Sequence, residues 1–312
     1  MLVGTLACAA VLHPRCPSPQ LSAAPLRAVV VGGGPAGGAA ALALHKLGWS
    51  VKLFERRPDW EEGDDGSAWS VTLTKRAFDT LESLEVDCDE LEGVPLEARV
   101  IMGAAKGSKP IISPFQFRNI NLSTRRIAKL VTRTARERGI ECAFEHECLG
   151  VEPGASSTRV RFLRSDGIVT HEEADLVVGA DGANSAVRAA LQRSAFGFEV
   201  SQDFEGSPQF RIATVTIDDT EHRLPRGRAA LDGVSESGEL LSVGDAIYTS
   251  FASDVGVILS PNVDSTVSIV ATETLFEGLA LDADSAAVDE ALRASAPNLA
   301  SFLRKVHPTC PP

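Results

Sequence analysis

Strand-like apolar runs alternate with segments of helical spacing through the first part of the chain. The runs at 28–31 and 176–178 are wholly apolar, as expected of strands buried on both faces, and 51–54 has a second strand pattern close to the first. A small-residue segment at 39–46 and a periodic segment at 125–138, which Gly139 ends, predict helices. This alternation predicts an α/β fold.

Beyond residue 196 the pattern changes to strands and turns, which predicts a second, mostly antiparallel sheet. Strand patterns at 96–102 and 110–117 indicate that part of this sheet is inserted earlier, around 94–120. We therefore expect a first domain over 27–195 and a sheet-rich domain over 196–312. The expected later elements are strands at 209–217, 246–251, 255–259 and 266–272 and helices at 285–294 and 297–306.

A glycine-rich turn lies between the first two strands. Gly32, Gly34 and Gly37 form G-x-G-x-x-G directly after 28–31, and Glu55 ends the second strand. In a βαβ unit the first glycine permits a tight turn, the second lets the backbone approach a pyrophosphate, and the third lets helix and strand pack closely. A carboxylate at the position of Glu55 can bind both hydroxyls of an adenosine ribose. The pattern predicts a dinucleotide site.

Composition excludes several classes of protein. Hydrophobic residues make up 44% and charged residues 23% of the chain, as in globular domains, and the net charge of −12 argues against a nucleic-acid or anionic-membrane partner. No apolar run reaches the roughly 20 residues of a transmembrane helix. The six cysteines have neither C-x-x-C nor metal-ligand spacing, so we expect reduced thiols and no metal. The oligomeric state stays open.

The first 26 residues differ from the rest. They begin with an apolar stretch, continue into a Pro/Ser/Ala tract, and contain no acidic residue. Such a segment is typical of a targeting leader, which would place the protein in a plastid or mitochondrion, or in a secretory compartment; a disordered start, with a cytoplasmic protein, is the alternative. In either case these residues are not expected to join the fold.

A second motif follows the strand 176–178. The sequence ADLVVGADGANSAVR places Asp181 and Gly182 in a turn before a helix. Together with the glycine-rich βαβ unit, it resembles the FAD-dependent aromatic-ring hydroxylases, the single-component flavoprotein monooxygenases. The resemblance implies a Rossmann-like FAD-binding domain with an inserted and following substrate sheet. It also implies NAD(P)H as co-substrate.

The resemblance also implies which residues contact FAD. Arg126 matches the family's arginine at a helix start, although Arg125 stays possible because the following leucine is one position late. Ser67 stands where the family usually has a basic residue, which weakens one expected contact. The remaining implied contacts are Gly32, Gly34, Pro35, Ala36, Gly37, Glu55, Arg56, Asp181 and Gly182.

Within that family, the chain resembles the kynurenine 3-monooxygenases. The segment from Val94 to Ile101 resembles the one that carries their substrate-binding arginine, which implies that Arg99 pairs with a substrate carboxylate; a surface arginine on an edge strand is the alternative. Phe115 stands where that branch has a substrate-side tyrosine, which implies that Phe115 also contacts the substrate, without the hydroxyl. The resemblance implies hydroxylation of a small aromatic substrate, and no acid–base residue is assigned.

A third family motif, Gly-Asp followed by Ala-Ala-His, is not evident. Gly244-Asp245 has its first letters, but a strand-like run follows, so the chain is expected to stop before the true motif. Two other functions therefore stay open. One is an FAD-dependent epoxidase or reductase of isoprenoids, and the other is a catalytically inactive FAD-binding fragment.

Overall fold

The computed structural model describes residues 10–12, 25–62, 70–103 and 109–193 together with shorter segments. The shorter segments are 198–201, 210–216, 233–234, 240–241, 246–252, 255–262, 266–272, 287, 290–291 and 293–294. Ser67, Gly244, Asp245 and the helix expected at 297–306 lie outside the described residues, and the helix expected at 285–294 does so in part.

The chain divides into two compact units, and the second is assembled from three separate segments. The first unit comprises Met1–Ala68, Asp79–Leu91 and Thr124–Asp203, and the second comprises Trp69–Phe78, Glu92–Ser123 and Phe204–Pro312. Glu92–Ser123 corresponds to the insertion expected around 94–120. The segment Trp69–Phe78, by contrast, belongs to the second unit although the sequence analysis placed it in the first.

The secondary structure alternates as the pattern predicts. The described α-helices are α1 (Pro35–Lys46), α2 (Lys75–Ser83), α3 (Thr124–Glu137) and α4 (Ala186–Arg193). The described strands are β1 (Ala10–Leu12), β2 (Arg27–Val31), β3 (Ser50–Phe54), β4 (Ser70–Leu73), β5 (Val94–Pro95), β6 (Ala98–Met102), β7 (Ile111–Pro114), β8 (Ile120–Ser123), β9 (Glu141–Ala143), β10 (His146–Pro153), β11 (Thr158–Arg164), β12 (Val169–Ala174), β13 (Leu176–Gly179), β14 (Phe210–Thr216), β15 (Gly233–Val234), β16 (Leu240–Leu241), β17 (Ala246–Ala252), β18 (Val255–Pro261) and β19 (Thr266–Thr272).

A five-stranded sheet with the order β1-β13-β2-β3-β9 forms the centre of the first unit. β13, β2, β3 and β9 are parallel, whereas β1 pairs antiparallel with β13. β1 lies in the leader-like segment that was not expected to join the fold, so the structure adds three of those residues to the sheet. The parallel pairing brings the carboxyl ends of β2, β3 and β13 to one edge, which is where ligands bind in such sheets.

Close packing holds this sheet to its neighbours. α1 and α3 meet at Gly38, where a Cβ would lie 2.9 Å from the Cβ of Val131. A second sheet, β10-β11-β12, places Phe162 against Phe54 of β3 with the ring centroids 4.1 Å apart. Both rings are buried, and they belong to a core of mainly aliphatic side chains from β2, β3, β11 and β13.

The second unit contains an eight-stranded sheet of order β14-β19-β18-β17-β6-β7-β15-β16 and a three-stranded sheet of order β4-β8-β5. Side-chain hydrogen bonds link the two sheets. The Asn121 amide of β8 donates to the carbonyl of Pro261 at 2.7 Å, and the Ser70 hydroxyl of β4 donates to the side-chain oxygen of Asn262 at 2.5 Å. Since Asn121 is only 1% exposed, these bonds supply partners that water cannot.

Several strands were not predicted, and the longest two of these are β8 and β10. β8 has only four residues and ends immediately before α3 begins. β10 carries a bulge between Cys148 and Gly150, which interrupts the two-residue alternation that identifies a strand.

We expect Gly38→Ala to destabilise the protein by about 1–3 kcal/mol, because the added methyl would collide with Val131. A glycine-to-alanine change within a helix is ordinarily stabilising. Urea unfolding measures the effect, and the double variant Gly38→Ala, Val131→Ala should lose less than the two single variants together. A Gly38→Ala protein as stable as the wild type would contradict the close packing of α1 on α3.

Candidate cofactor site

The glycine-rich turn joins the carboxyl ends of three strands. The Gly32 N–H donates to the Phe54 carbonyl at 2.7 Å, and the Ala180 N–H donates to the Val31 carbonyl at 2.7 Å. Gly32 has a φ of +107°, and a Cβ there would overlap the carbonyl of Ala180. Only glycine fits this position, since both the backbone angle and the neighbouring strand exclude a side chain.

Gly33 and Gly37 are also excluded from carrying a side chain, each by a different neighbour. A Cβ on Gly37 would overlap the carbonyl oxygen of Gly32, so this glycine lets α1 begin against the turn. A Cβ on Gly33 would lie 2.8 Å from the Cβ of Glu55. Pro35 is the first residue of α1, where its missing N–H costs nothing.

Neither a positive φ nor a close neighbouring atom requires glycine at Gly34. Its φ of −70° is open to any residue, and a Cβ there would meet no protein atom within 4 Å. The space beside Gly34 therefore lies on the free side of the turn, next to the N-terminus of α1. That N-terminus offers unpaired N–H groups, which favour an anion such as a pyrophosphate.

Glu55 is held against the turn and is 5% exposed. One carboxylate oxygen accepts the Gly33 N–H at 2.7 Å, and the other accepts the Arg57 N–H at 3.0 Å. A carboxylate offers about four acceptor positions, so these two bonds leave about two for ribose hydroxyls. Arg56, which lies between Glu55 and Arg57 in the sequence, is exposed.

The Asp181 carboxylate caps the following helix. It accepts the N–H groups of Ala186 at 2.6 Å and Val187 at 3.2 Å, and the Ser185 hydroxyl donates to it at 2.6 Å. Ser185 in turn accepts the Arg188 N–H at 2.9 Å. The N-terminus of α4 is thus occupied by the protein's own side chains, and it is not available to a phosphate.

Gly182 follows in a left-handed conformation, with a φ of +81°, and is exposed. Its position next to Asp181 keeps the turn open towards solvent. The predicted contacts of Asp181 and Gly182 with the cofactor stay predictions, and for Asp181 the structure shows a capping role as well.

The two candidate arginines at the start of α3 differ in their partners. Arg125 donates to the carbonyl of Trp60 at 3.2 Å and to the carbonyl of Glu62, and its guanidinium lies 5.6 Å from the centre of the Trp60 ring. Arg125 therefore holds the segment after β3. Arg126 is half-buried and better matches the predicted cofactor contact by spacing.

Arg99 and Phe115 belong to the second unit. Arg99 is exposed on β6, which lies between β17 and β7. The strand is therefore internal and not an edge strand, but the arginine lies at the surface, as the alternative expected. Phe115 is half-buried, and its N–H donates to the carbonyl of Glu97 at 2.7 Å.

The sequence of the chain matches the family described as FAD binding domain over residues 26–222. This match covers more than half of the chain and includes both motifs of the first unit. The chain belongs to the FAD-binding domain family. FAD is thereby confirmed as the cofactor, and the predicted fold class is confirmed as well.

Three known proteins show how far the similarity extends. Violacein synthase of Chromobacterium violaceum is 31% identical over 188 residues, which are 57% of this chain and 43% of that protein. Kynurenine 3-monooxygenase of Salinispora arenicola is 31% identical over 185 residues, 57% of this chain and 40% of that protein. The chain thus spans less than half the length of these relatives. The crystal structure of CtdE with FAD and a substrate superimposes with a TM-score of 0.61 at 14% identity, over 92% of this chain and 66% of that one.

The described residues fit an FAD molecule at the glycine turn. Gly34 leaves room for a pyrophosphate where a Cβ would intrude, and Glu55 retains acceptors for the ribose of the adenosine half. Among the described helices, none is both long and apolar enough to cross a membrane.

Two contributors were missed in the sequence. Gly33 falls between the motif positions, yet only glycine fits beside Glu55. The signal in the sequence was the three consecutive glycines that open GGGPAGG. Trp60 lies in the polar, acidic stretch after β3, yet it is 7% exposed, and its indole N–H donates to the Gly33 carbonyl at 2.9 Å. The signal in the sequence was a tryptophan that stands among charged residues.

We expect Gly34→Ala to raise the Kd for FAD about tenfold or more, because a methyl group in the pyrophosphate space costs about 1–3 kcal/mol. The stability of the cofactor-free protein should stay within about 0.5 kcal/mol of wild type, since the methyl meets no protein atom. Flavin fluorescence titration and urea unfolding measure the two quantities. Gly150→Ala is the control, because its Cβ also meets nothing within 4 Å. Unchanged FAD affinity in Gly34→Ala would contradict the site.

We expect Asp181→Ala to destabilise the cofactor-free protein by about 1–2 kcal/mol, because two helix N–H groups lose their acceptor. Asp181→Asn keeps one acceptor oxygen and should lose less. Urea unfolding without FAD measures both. A variant that keeps full stability but loses FAD affinity would show that Asp181 acts on the cofactor instead of on α4.

Proposed function

We propose that this chain supplies the FAD-binding unit and the substrate sheet of a monooxygenase that uses NAD(P)H and O2 to hydroxylate a small aromatic substrate, in the manner of kynurenine 3-monooxygenase. The similarity to proteins of that name supports the reaction class. FAD, when bound, supplies the redox chemistry with the nicotinamide and with O2. The protein's part is to bind and orient cofactor and substrate and to exclude water.

The position of Arg99 is the observation that carries the substrate class. Its neighbours across the strands are Ser113 and Ile247, and Ile101 projects from the same face of β6. Among the described residues, none forms an ion pair with Arg99. A guanidinium pairs well with a carboxylate in two parallel hydrogen bonds, and the isoleucines offer apolar contact to a ring. This combination suits an aromatic acid, whereas an isoprenoid would have no use for the arginine.

Kynurenine is the probe that tests the proposal. In the FAD-loaded chain, Arg99→Ala should weaken kynurenine binding by about 30-fold or more. The bound substrate would cover the exposed guanidinium, and removing one partner of a charge pair that is desolvated in the complex costs about 2–4 kcal/mol. Arg161→Ala is the control, because Arg161 is an exposed arginine on β11 of the other unit. Equal affinity in wild type and Arg99→Ala would overturn the substrate class.

Turnover separates the catalytic alternative from a chain that only binds FAD. Hydroxylated product and hydrogen peroxide are both measured per NADPH consumed. Peroxide in excess of product would indicate a chain that binds and reduces FAD without hydroxylating the substrate. Hydroxylated product formed in proportion to the NADPH consumed would show that Gly244-Asp245 was wrongly rejected as the third family motif.

A further inference from the structure

The backbone N–H and the carbonyl of Gly33 both form hydrogen bonds with side chains of residues that follow β3 in the sequence. Its N–H donates to Glu55 at 2.7 Å, and its carbonyl accepts the indole N–H of Trp60 at 2.9 Å. Glu55 has an evident use in binding a ribose. Trp60 has none of its own, although it is almost fully buried in a polar segment.

The Trp60 ring is fixed on several sides. The ring of Phe144 meets it edge-on, with the centroids 6.2 Å apart, and the guanidinium groups of Arg57 and Arg125 lie 5.8 and 5.6 Å from its centre. Arg125 also donates to the Trp60 carbonyl. The indole therefore keeps one orientation.

The segment that carries Trp60 is fastened to α3 by charged groups. Arg136 binds the Asp59 carboxylate, and Lys129 lies 2.6 Å from the Glu61 carboxylate. Partial burial acts to raise the pKa of Asp59, but the hydrogen bonds from Arg136 and the Glu61 N–H outweigh it, and the pKa lies below its ordinary value. Trp60 thus connects the glycine turn to α3, which also packs on α1.

The bond from Trp60 has a consequence for the neighbouring peptide group. The Gly33 carbonyl and the Gly34 N–H belong to one trans peptide, so they point in opposite directions. Holding the carbonyl against Trp60 directs the Gly34 N–H the other way. Among the described residues, none accepts a hydrogen bond from that N–H, and the space beside Gly34 is open.

We propose that Trp60 is a positioning residue, which orients the Gly33–Gly34 peptide so that the Gly34 N–H donates to the cofactor pyrophosphate. The proposal rests on the assignment of the glycine turn to FAD, and it does not depend on hydroxylation. An N–H that already points at its acceptor needs no reorganisation when the ligand binds, which strengthens binding.

The test compares ADP with adenosine in Trp60→Phe, which keeps an aromatic ring and removes the N–H donor. ADP carries the pyrophosphate, and adenosine reaches only the ribose and adenine contacts. The Kd for ADP should rise about five- to tenfold, the equivalent of one neutral hydrogen bond, while the Kd for adenosine stays within about twofold. Calorimetry or competition with labelled ADP measures both constants. The ratio of the two is independent of the folded fraction, so a less stable variant still gives a result.

Trp49→Phe is the matched control, because Trp49 is half-buried in the turn after α1, and it should change neither constant. Hydrogen exchange in the absence of ligand gives a second measurement, in which the peptide covering 31–38 should exchange faster in Trp60→Phe. An equal rise for ADP and adenosine, or an unchanged Kd for ADP, would overturn the role of Trp60. A wild-type chain that binds neither ligand would overturn the cofactor assignment itself.

Discussion

The close approach of backbone at one edge of the parallel sheet is the constraint on which the first unit depends. Gly32 touches the carbonyl of Ala180 after β13, and Gly37 touches the carbonyl of Gly32. No side chain fits either contact. The turn can therefore bring three strand ends and the start of α1 together, and this arrangement places free N–H groups beside an open space at Gly34.

Charged residues support this site from outside. α3 is rich in arginine and lysine. In the structure much of that charge is used internally, since Lys129, Arg133 and Arg136 pair with acidic residues of the first unit. Such partly exposed pairs contribute little stability each. The pairs of Lys129 with Glu61 and of Arg136 with Asp59 attach the segment around Trp60 to α3 beside the glycine turn.

In the second unit, the two faces of strand β6 carry different kinds of side chain. Its eight-stranded sheet buries one face of β6 through Ala98, Val100 and Met102, while Arg99 and Ile101 lie on the other face. Arg99 is exposed, as is usual for an arginine, and the half-buried Ile101 and Ile247 flank it. The substrate proposal gives that face a use.

Local sequence pattern was sufficient to predict the βαβ unit, the positions of its glycines and of Glu55, and the helix α3. These features depend on apolar runs, helical spacing and residues such as Gly139, which ends the helix and has a φ of +81°. The family and its cofactor followed from two such motifs, each contained within a short stretch of chain.

Contacts between distant parts of the chain, by contrast, determine what individual side chains do at the site. Trp60 bonds to a carbonyl 27 positions earlier, Arg125 turns towards Trp60 and Glu62, and Asp181 turns back onto its own helix. The strand pairing that places β6 inside its sheet joins residues almost 150 positions apart. Spacing along the chain carries no information on these choices, because each is decided by which donor or acceptor the fold brings within about 3 Å of another.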